Sequence, residues 1–289
     1  MKAAPTSVDS RVRGAARLAC LCAVALAPHP AAAAAGAAAG RIAADIAARR
    51  PLVAHVVVAL CDNEHQGIVR VPRALGDGAS PRTNLYWGAR FGVRSFLSDT
   101  RGWRRHASST TPPEGVLERL VVGTTVSRGE VNAPLYVVAD AWDGRRMKEA
   151  LAAFFEMSAG RTNAAVRIDG LSLEAGGGAH VVAFVGHDGL MDAPAAPFAP
   201  GAAEPARASI VLACSSRSYF ADPLARASTY PLLLTSGFMA PEAYTLDAAL
   251  RAWFTTGEAA SVQDAAARAY HQYQRCGLAA ARRLFVVPR

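Results

Sequence analysis

The chain alternates between short, densely apolar runs and longer segments whose apolar residues recur at helical spacing. Residues 53–60, 117–124, 134–139, 180–185, 209–213 and 230–236 are the apolar runs. They are rich in Val, Ile, Leu, Phe and Ala and largely lack the alternating polar positions of a half-solvated strand, so they predict strands covered on both faces. A turn over 127–132 joins the second of these to the third. Helical spacing is clearest at Met147, Leu151, Phe154 and Phe155, which fall at i, i+4, i+7 and i+8. That predicts a helix over 143–157, with Asp143 as its N-cap and Gly160 as its stop.

Further helices follow the same logic. Ile42 and Ile46 mark a short one over 41–49, ended by Pro51. Leu246, Leu250 and Trp253 form the buried stripe of another, opened by Pro241. A last one runs from Ser261, with Asp264 as a capping partner, to Cys276, where Tyr270 and Tyr273 suggest a packed core thiol. Residues 101–113 read as an exposed loop, 171–178 as turn-rich, and 284–287 as a final strand or a tail. Strand and helix in alternation predict one α/β domain over 41–289, a mostly parallel sheet in a three-layer α/β/α arrangement. With 289 residues, 52% of them hydrophobic, the chain has the apolar mass for such a core and is no disordered protein.

The first forty residues differ in character. Arg11, Arg13 and Arg17 precede an apolar stretch over 18–26, and small residues over 31–39 offer cleavage positions. This reads as a signal peptide with an Ala-rich leader over 1–40, so the protein is expected to be exported, periplasmic or secreted. The alternative is a low-complexity, disordered start. The apolar stretch, broken by Pro28 and Pro30, is too short to span a bilayer, so no stable membrane insertion is expected once the leader is removed.

Charge and cysteine usage narrow the function classes. Of the formal charge of +8, Lys2, Arg11, Arg13 and Arg17 against Asp9 place three units in the leader, leaving +5 on scattered arginines. No basic block tracks a phosphate backbone, and nucleic acid is not expected as a partner. Cys61, Cys214 and Cys276 remain after the leader, an odd number with no CxxC pair, so structural zinc is not expected. His180, His187, Asp188, Asp192 and Cys214 are ligand types, but the two histidines would stand about 23 Å apart on one extended strand. Neither a metal nor any other cofactor is therefore expected.

Two apolar runs end in chemically capable side chains: the run from His180 closes at His187-Asp188-Gly189, and the run from Ser209 closes at Cys214-Ser215-Ser216. As parallel strands of one sheet they would bring His187 and Cys214 together at the edge where open α/β sheets place ligands. The run over 53–60 ends in a polar cluster from Cys61 to Gly67 that includes Asp62 and Asn63, read either as a third component of the site or as a solvated loop. Leu85, Tyr86, Trp87, Phe91 and Phe96 either pack on the sheet or line a pocket.

A cysteine thiol near pKa 8.5 needs a base or a positive neighbour to become the nucleophilic thiolate. His187 would take its proton or protonate a leaving amine, oriented by Asp188 or by the cluster holding Asp62 and Asn63. The amides of Cys214 and Gly189 would hold the oxyanion. The bland readings are an inert core thiol at Cys214 and a structural hydrogen-bonder at His187. Ser215, Ser216 and Ser218 are alternative nucleophiles, although no Gly-x-Ser-x-Gly elbow surrounds them.

An apolar strand ending near His-Gly, followed by a second ending in Ala213-Cys214, resembles the core signature of the caspase-like (caspase-hemoglobinase) cysteine peptidases. The resemblance implies their fold, a peptide or protein substrate, His187 as the family histidine and Cys214 as the nucleophile. Here Asp188 stands between the histidine and Gly189. The segment 232–236, followed by Glu242-Ala243-Tyr244, is similar to the strand and helix that follow the nucleophile in that family. Ala- and Pro-rich residues 193–205 leave little room for a crossover helix between the two strands. Arg217 beside Cys214 hints at an acidic substrate side chain. The expected function is peptide-bond hydrolysis by a Cys-His dyad; the alternative is a non-catalytic exported α/β binding or scaffold protein with the same fold.

Overall fold

A computed structural model of the protein describes Met1 and residues 30–287. Its elements in chain order begin with α1 (Pro30–Ala47), β1 (Leu52–Ala59), α2 (Val93–Asp99), β2 (Arg104–His106), β3 (Val116–Arg128), β4 (Val131–Trp142), α3 (Met147–Ser158), β5 (Asn163–Ile168) and β6 (Leu171–Gly176). There follow β7 (Val181–Val185), β8 (Ala208–Leu212), α4 (Ser216–Arg226), β9 (Tyr230–Thr235), α5 (Ala243–Thr256), α6 (Ala259–Gln274), α7 (Leu278–Leu284) and β10 (Phe285–Val286). The fold is α/β, with an eight-stranded sheet in the order β10-β9-β8-β7-β1-β4-β3-β2 and a separate β5-β6 hairpin. Strands β4, β1, β7, β8 and β9 run parallel, while β10, β3 and β2 pair antiparallel at the two ends.

Alternation along the parallel strands sets the layers. In β1, Val56 and Val58 join the core under α1, α5 and α6, whereas Val57 and Ala59 join the core under α3 and α4. In β7 and β8, Val185 and Leu212 belong to the first face, and Phe184 and Val211 to the second. Both faces are covered, which is why these strands read as unbroken apolar runs. The β5-β6 hairpin adds a small third cluster of its own over Val53, Val121 and Val138.

Several sequence expectations change in detail. Residues 171–178 are mostly strand β6 rather than turns, and 101–113 contains β2, an edge strand on β3. Helix α1 starts at Pro30, and its Ala38 is buried with Ile42 and Ile46. The rest of the expected leader, 2–29, lies outside the described residues. The helix expected from Ser261 begins at Ala259 and ends at Gln274, which leaves Cys276 exposed instead of packed. As the Pro- and Ala-rich segment suggested, β7 and β8 are parallel neighbours joined without a helix.

Buried polar groups tie α1 to the sheet. Arg41 donates to the carbonyls of Gly178, Ala179 and Ala206, at the starts of β7 and β8. His180 takes a hydrogen bond from the Val53 amide on Nδ1 and places Nε2 at 2.8 Å from Asp45 of α1. Burial, with Arg41 nearby, pushes the His180 ring down to about 4, so it is neutral and Nε2 donates. Deeper in the sheet, His55 accepts from the Gly176 amide and holds Asp140, which Arg119 grips with two bonds of 2.6 and 2.7 Å. Burial alone would raise Asp140, but Arg119 and His55 outweigh it and bring the carboxyl down to about 2.

Candidate functional site

The site follows from register. Val185 of β7 pairs with Leu212 of β8, and the Gly186 amide extends the ladder to the Leu212 carbonyl at 3.2 Å. His187 and Cys214 each stand two residues beyond that pair, so the two side chains leave adjacent parallel strands at the same level. Gly186 allows the strands to approach there: a Cβ on it would lie 2.9 Å from the Ala59 carbonyl oxygen of β1. This is also where the sheet reverses direction of growth, since β4 lies on one side of β1 and the later β7 on the other. Crevices at such switch points, beyond the strand C-termini, are where α/β sheets bind ligands.

A cavity of about 320 Å³ occupies this crevice, and both His187 and Cys214 line it. The loop after β1 supplies Gly67, Ile68, Val69 and Val71; the loops after β7 and β9 supply Met191 and residues 238, 239 and 241. Cys214 is half-buried and stands two residues before the start of α4 at Ser216. The Met239 amide donates to its Sγ at 3.4 Å, and the Met239 carbonyl lies 3.6 Å away as an acceptor for the thiol proton. His187 places Nε2 at 2.8 Å from Asp192 Oδ2, and that oxygen also accepts the Gly67 amide at 3.2 Å. With a carboxylate on Nε2, the ring nitrogen left to act as a base is Nδ1, which has no protein partner among the described residues. No hydrogen bond joins the His187 ring to Cys214 Sγ among the described residues.

The other expected site residues lie elsewhere. Asp62 and Asn63 line a separate cavity of about 610 Å³ with His65, Arg70 and Arg73, and neither orients His187. Asp62 instead accepts the amides of Glu64 and His65 and the His65 ring; burial would raise its carboxyl, and these bonds hold it below the usual range. Asn63 pairs with both the amide and the carbonyl of Val71, fixing the loop whose far side walls the first cavity. Asp188 is fully buried, accepts the Leu190 amide on one oxygen and has no partner on the other. Burial pushes its carboxyl up to about 7, and no hydrogen bond joins it to the His187 ring among the described residues. The Gly189 amide is used on the His187 carbonyl at 3.0 Å, so it offers nothing to an oxyanion.

Tyr86 serves both roles left open for it, since it is buried and lines the cavity. Its hydroxyl meets Cys61, whose thiol burial pushes up to about 11, leaving that cysteine unreactive. Trp87 is buried against Glu118, and half-buried Phe91 and Phe96 pack edge-on against Tyr244 and Tyr273, so these aromatics pack in or on the core. Ser216 is buried and spent on Thr235 and the Val211 carbonyl, which excludes it as a nucleophile. Arg217 is exposed on α4 and does not line the cavity. Sequence reading missed Asp192 as the histidine's partner; a carboxylate in the loop five residues past His187 was the available signal. Comparisons with known protein families, with curated proteins and with solved structures give no match to this chain.

Proposed function

We propose that the protein is a caspase-like cysteine peptidase that hydrolyses peptide bonds through Cys214 and His187, with Asp192 positioning the histidine. The observation that carries this reading is the pairing of the two side chains at the tips of adjacent parallel strands, both facing one open cavity. The same pairing is what the resemblance to caspase-like peptidases implies. In the reaction His187 Nδ1 takes the Cys214 proton, and the thiolate attacks the substrate carbonyl carbon, forming a C–S bond. The C–N bond then breaks as the imidazolium returns its proton to the leaving amine. Water attacks the thioester, its proton passing to His187; a C–O bond forms, the C–S bond breaks, and the thiolate regains a proton. The Cys214 amide carries no protein acceptor among the described residues and belongs to a residue of the cavity wall, so it is the oxyanion donor of this proposal. Export of the protein belongs to the same proposal, through the basic and apolar start of the chain.

Site-resolved alkylation with iodoacetamide on the native protein tests the dyad. Cys214 is expected to react at least tenfold faster than exposed Cys276, with Cys61 protected, and His187→Ala is expected to slow Cys214 alone. Equal rates at Cys214 and Cys276, unchanged in His187→Ala, would favour the non-catalytic binding or scaffold reading. That second reading has one observation in its favour, the engagement of the thiol by the Met239 backbone in place of the imidazole.

A further inference from the structure

The described surface leaves few large apolar side chains exposed, and three of them rim one cleft: Val69 at 91% relative exposure, Phe238 at 80% and Met191 at 40%. Isolated exposed apolar residues are ordinary, but a cluster around a cavity marks a surface made to be covered. Ile68 and Pro241 continue the apolar wall inward toward Cys214. Among the described residues, no carboxylate, lysine or guanidinium lines this cavity; its ionisable groups are His187, Cys214 and buried Tyr86. A charged substrate side chain entering it would lose its water without gaining an ionic partner, whereas an apolar one would bury the rim as it binds.

We infer that the cleft seats an apolar side chain, of the size of Leu, Met or Phe, on the residue whose carbonyl is attacked; the inference rests on the peptidase reading above. Arg217, pointed to by its place in sequence as a mark of acidic specificity, takes no part because it is not in the cavity wall. Val69 and Phe238 become the specificity-determining residues, and both are exposed enough to replace without disturbing the core.

Peptidyl acyloxymethyl ketones carrying Leu, Phe, Asp or Arg next to the ketone test this. With each, Cys214 Sγ forms a C–S bond to the methylene carbon as the C–O bond to the carboxylate leaving group breaks. The Leu and Phe probes are expected to label Cys214 at least tenfold faster than the Asp and Arg probes. Val69→Glu and Phe238→Glu are expected to slow the Leu probe at least fivefold and to quicken the Arg probe. An Asp or Arg probe that labels wild-type Cys214 as fast as the Leu probe overturns the apolar preference and leaves the peptidase standing. Four inert ketones, with iodoacetamide labelling of Cys214 indifferent to His187→Ala, overturn the peptidase and the preference together.

Discussion

His55, His180 and His187 each hold a carboxylate on Nε2, and they differ in the other nitrogen. In His55 and His180 a backbone amide occupies Nδ1, from Gly176 and Val53, so both rings are locked as structural connectors. His187 alone of the three keeps Nδ1 without a protein partner among the described residues, at a cavity that also holds a half-buried thiol. In the proposed reaction Asp192 acts as a positioning residue, and its loss would free the ring and let the tautomer shift. Asp192→Asn is expected to lower kcat by about 10²-fold with little change in KM, the scale of a general-base contribution. Steady-state kinetics with the pH profile of each variant checks it, and an unchanged kcat would return Asp192 to a merely structural role. His187 and Cys214 were legible in the sequence because each closes an apolar run. Asp192 was not, because its contact depends on how the loop after β7 folds back.

At the scale of elements, the parallel strands were readable because burial on both faces leaves only apolar residues to choose from. Helix α4 is not legible in the same way: its Ser-rich first turn and internal Pro223 hide a stripe carried by Phe220 and Leu224. The β5-β6 hairpin is obscured because its strands are short and mix polar residues such as Asn163, Arg167, Ser172 and Glu174 with a buried face of only Val166, Ile168, Leu173 and Ala175 with their neighbours. The attachment of α1 through Asp45 and His180 gives the fold a defined acid response. An unfolded histidine titrates near 6.5, whereas folded His180 resists protonation down to about 4. Between those values the unfolded chain binds the extra proton, so stability falls as pH drops from about 6.5 to 4. Asp140 behaves oppositely in origin and alike in effect: its contribution is present above the unfolded carboxyl value and is lost as pH falls through about 2. Thermal unfolding from pH 7 to 4 is expected to show a falling Tm that flattens in His180→Gln; a His180→Gln slope equal to that of wild type would contradict this role.

For the whole molecule, three loops from separate strand ends, after β1, β7 and β9, converge on one crevice, which His187 and Cys214 also line. The sheet order makes that convergence possible, because β1 lies between its parallel partners and the β7-β8 tips are adjacent. The adjacency of the two tips was legible in the sequence, whereas the part played by the β1 loop was open. Its polar residues read either as a third component of the site or as a solvated loop; Asp62 and Asn63 brace the loop, and its apolar residues face the cavity. The apolar character of the cleft was hidden for the same reason, since Val69, Met191 and Phe238 lie in three loops far apart along the chain. The most direct test is to incubate the full chain with a diverse peptide pool and read new termini by mass spectrometry. Wild-type protein is expected to cut peptide bonds, Cys214→Ala to produce no cuts, and His187→Ala to cut at least 100-fold more slowly. Cleavage that persists at the wild-type rate in Cys214→Ala, or a folded wild-type protein that cuts nothing, would contradict the account.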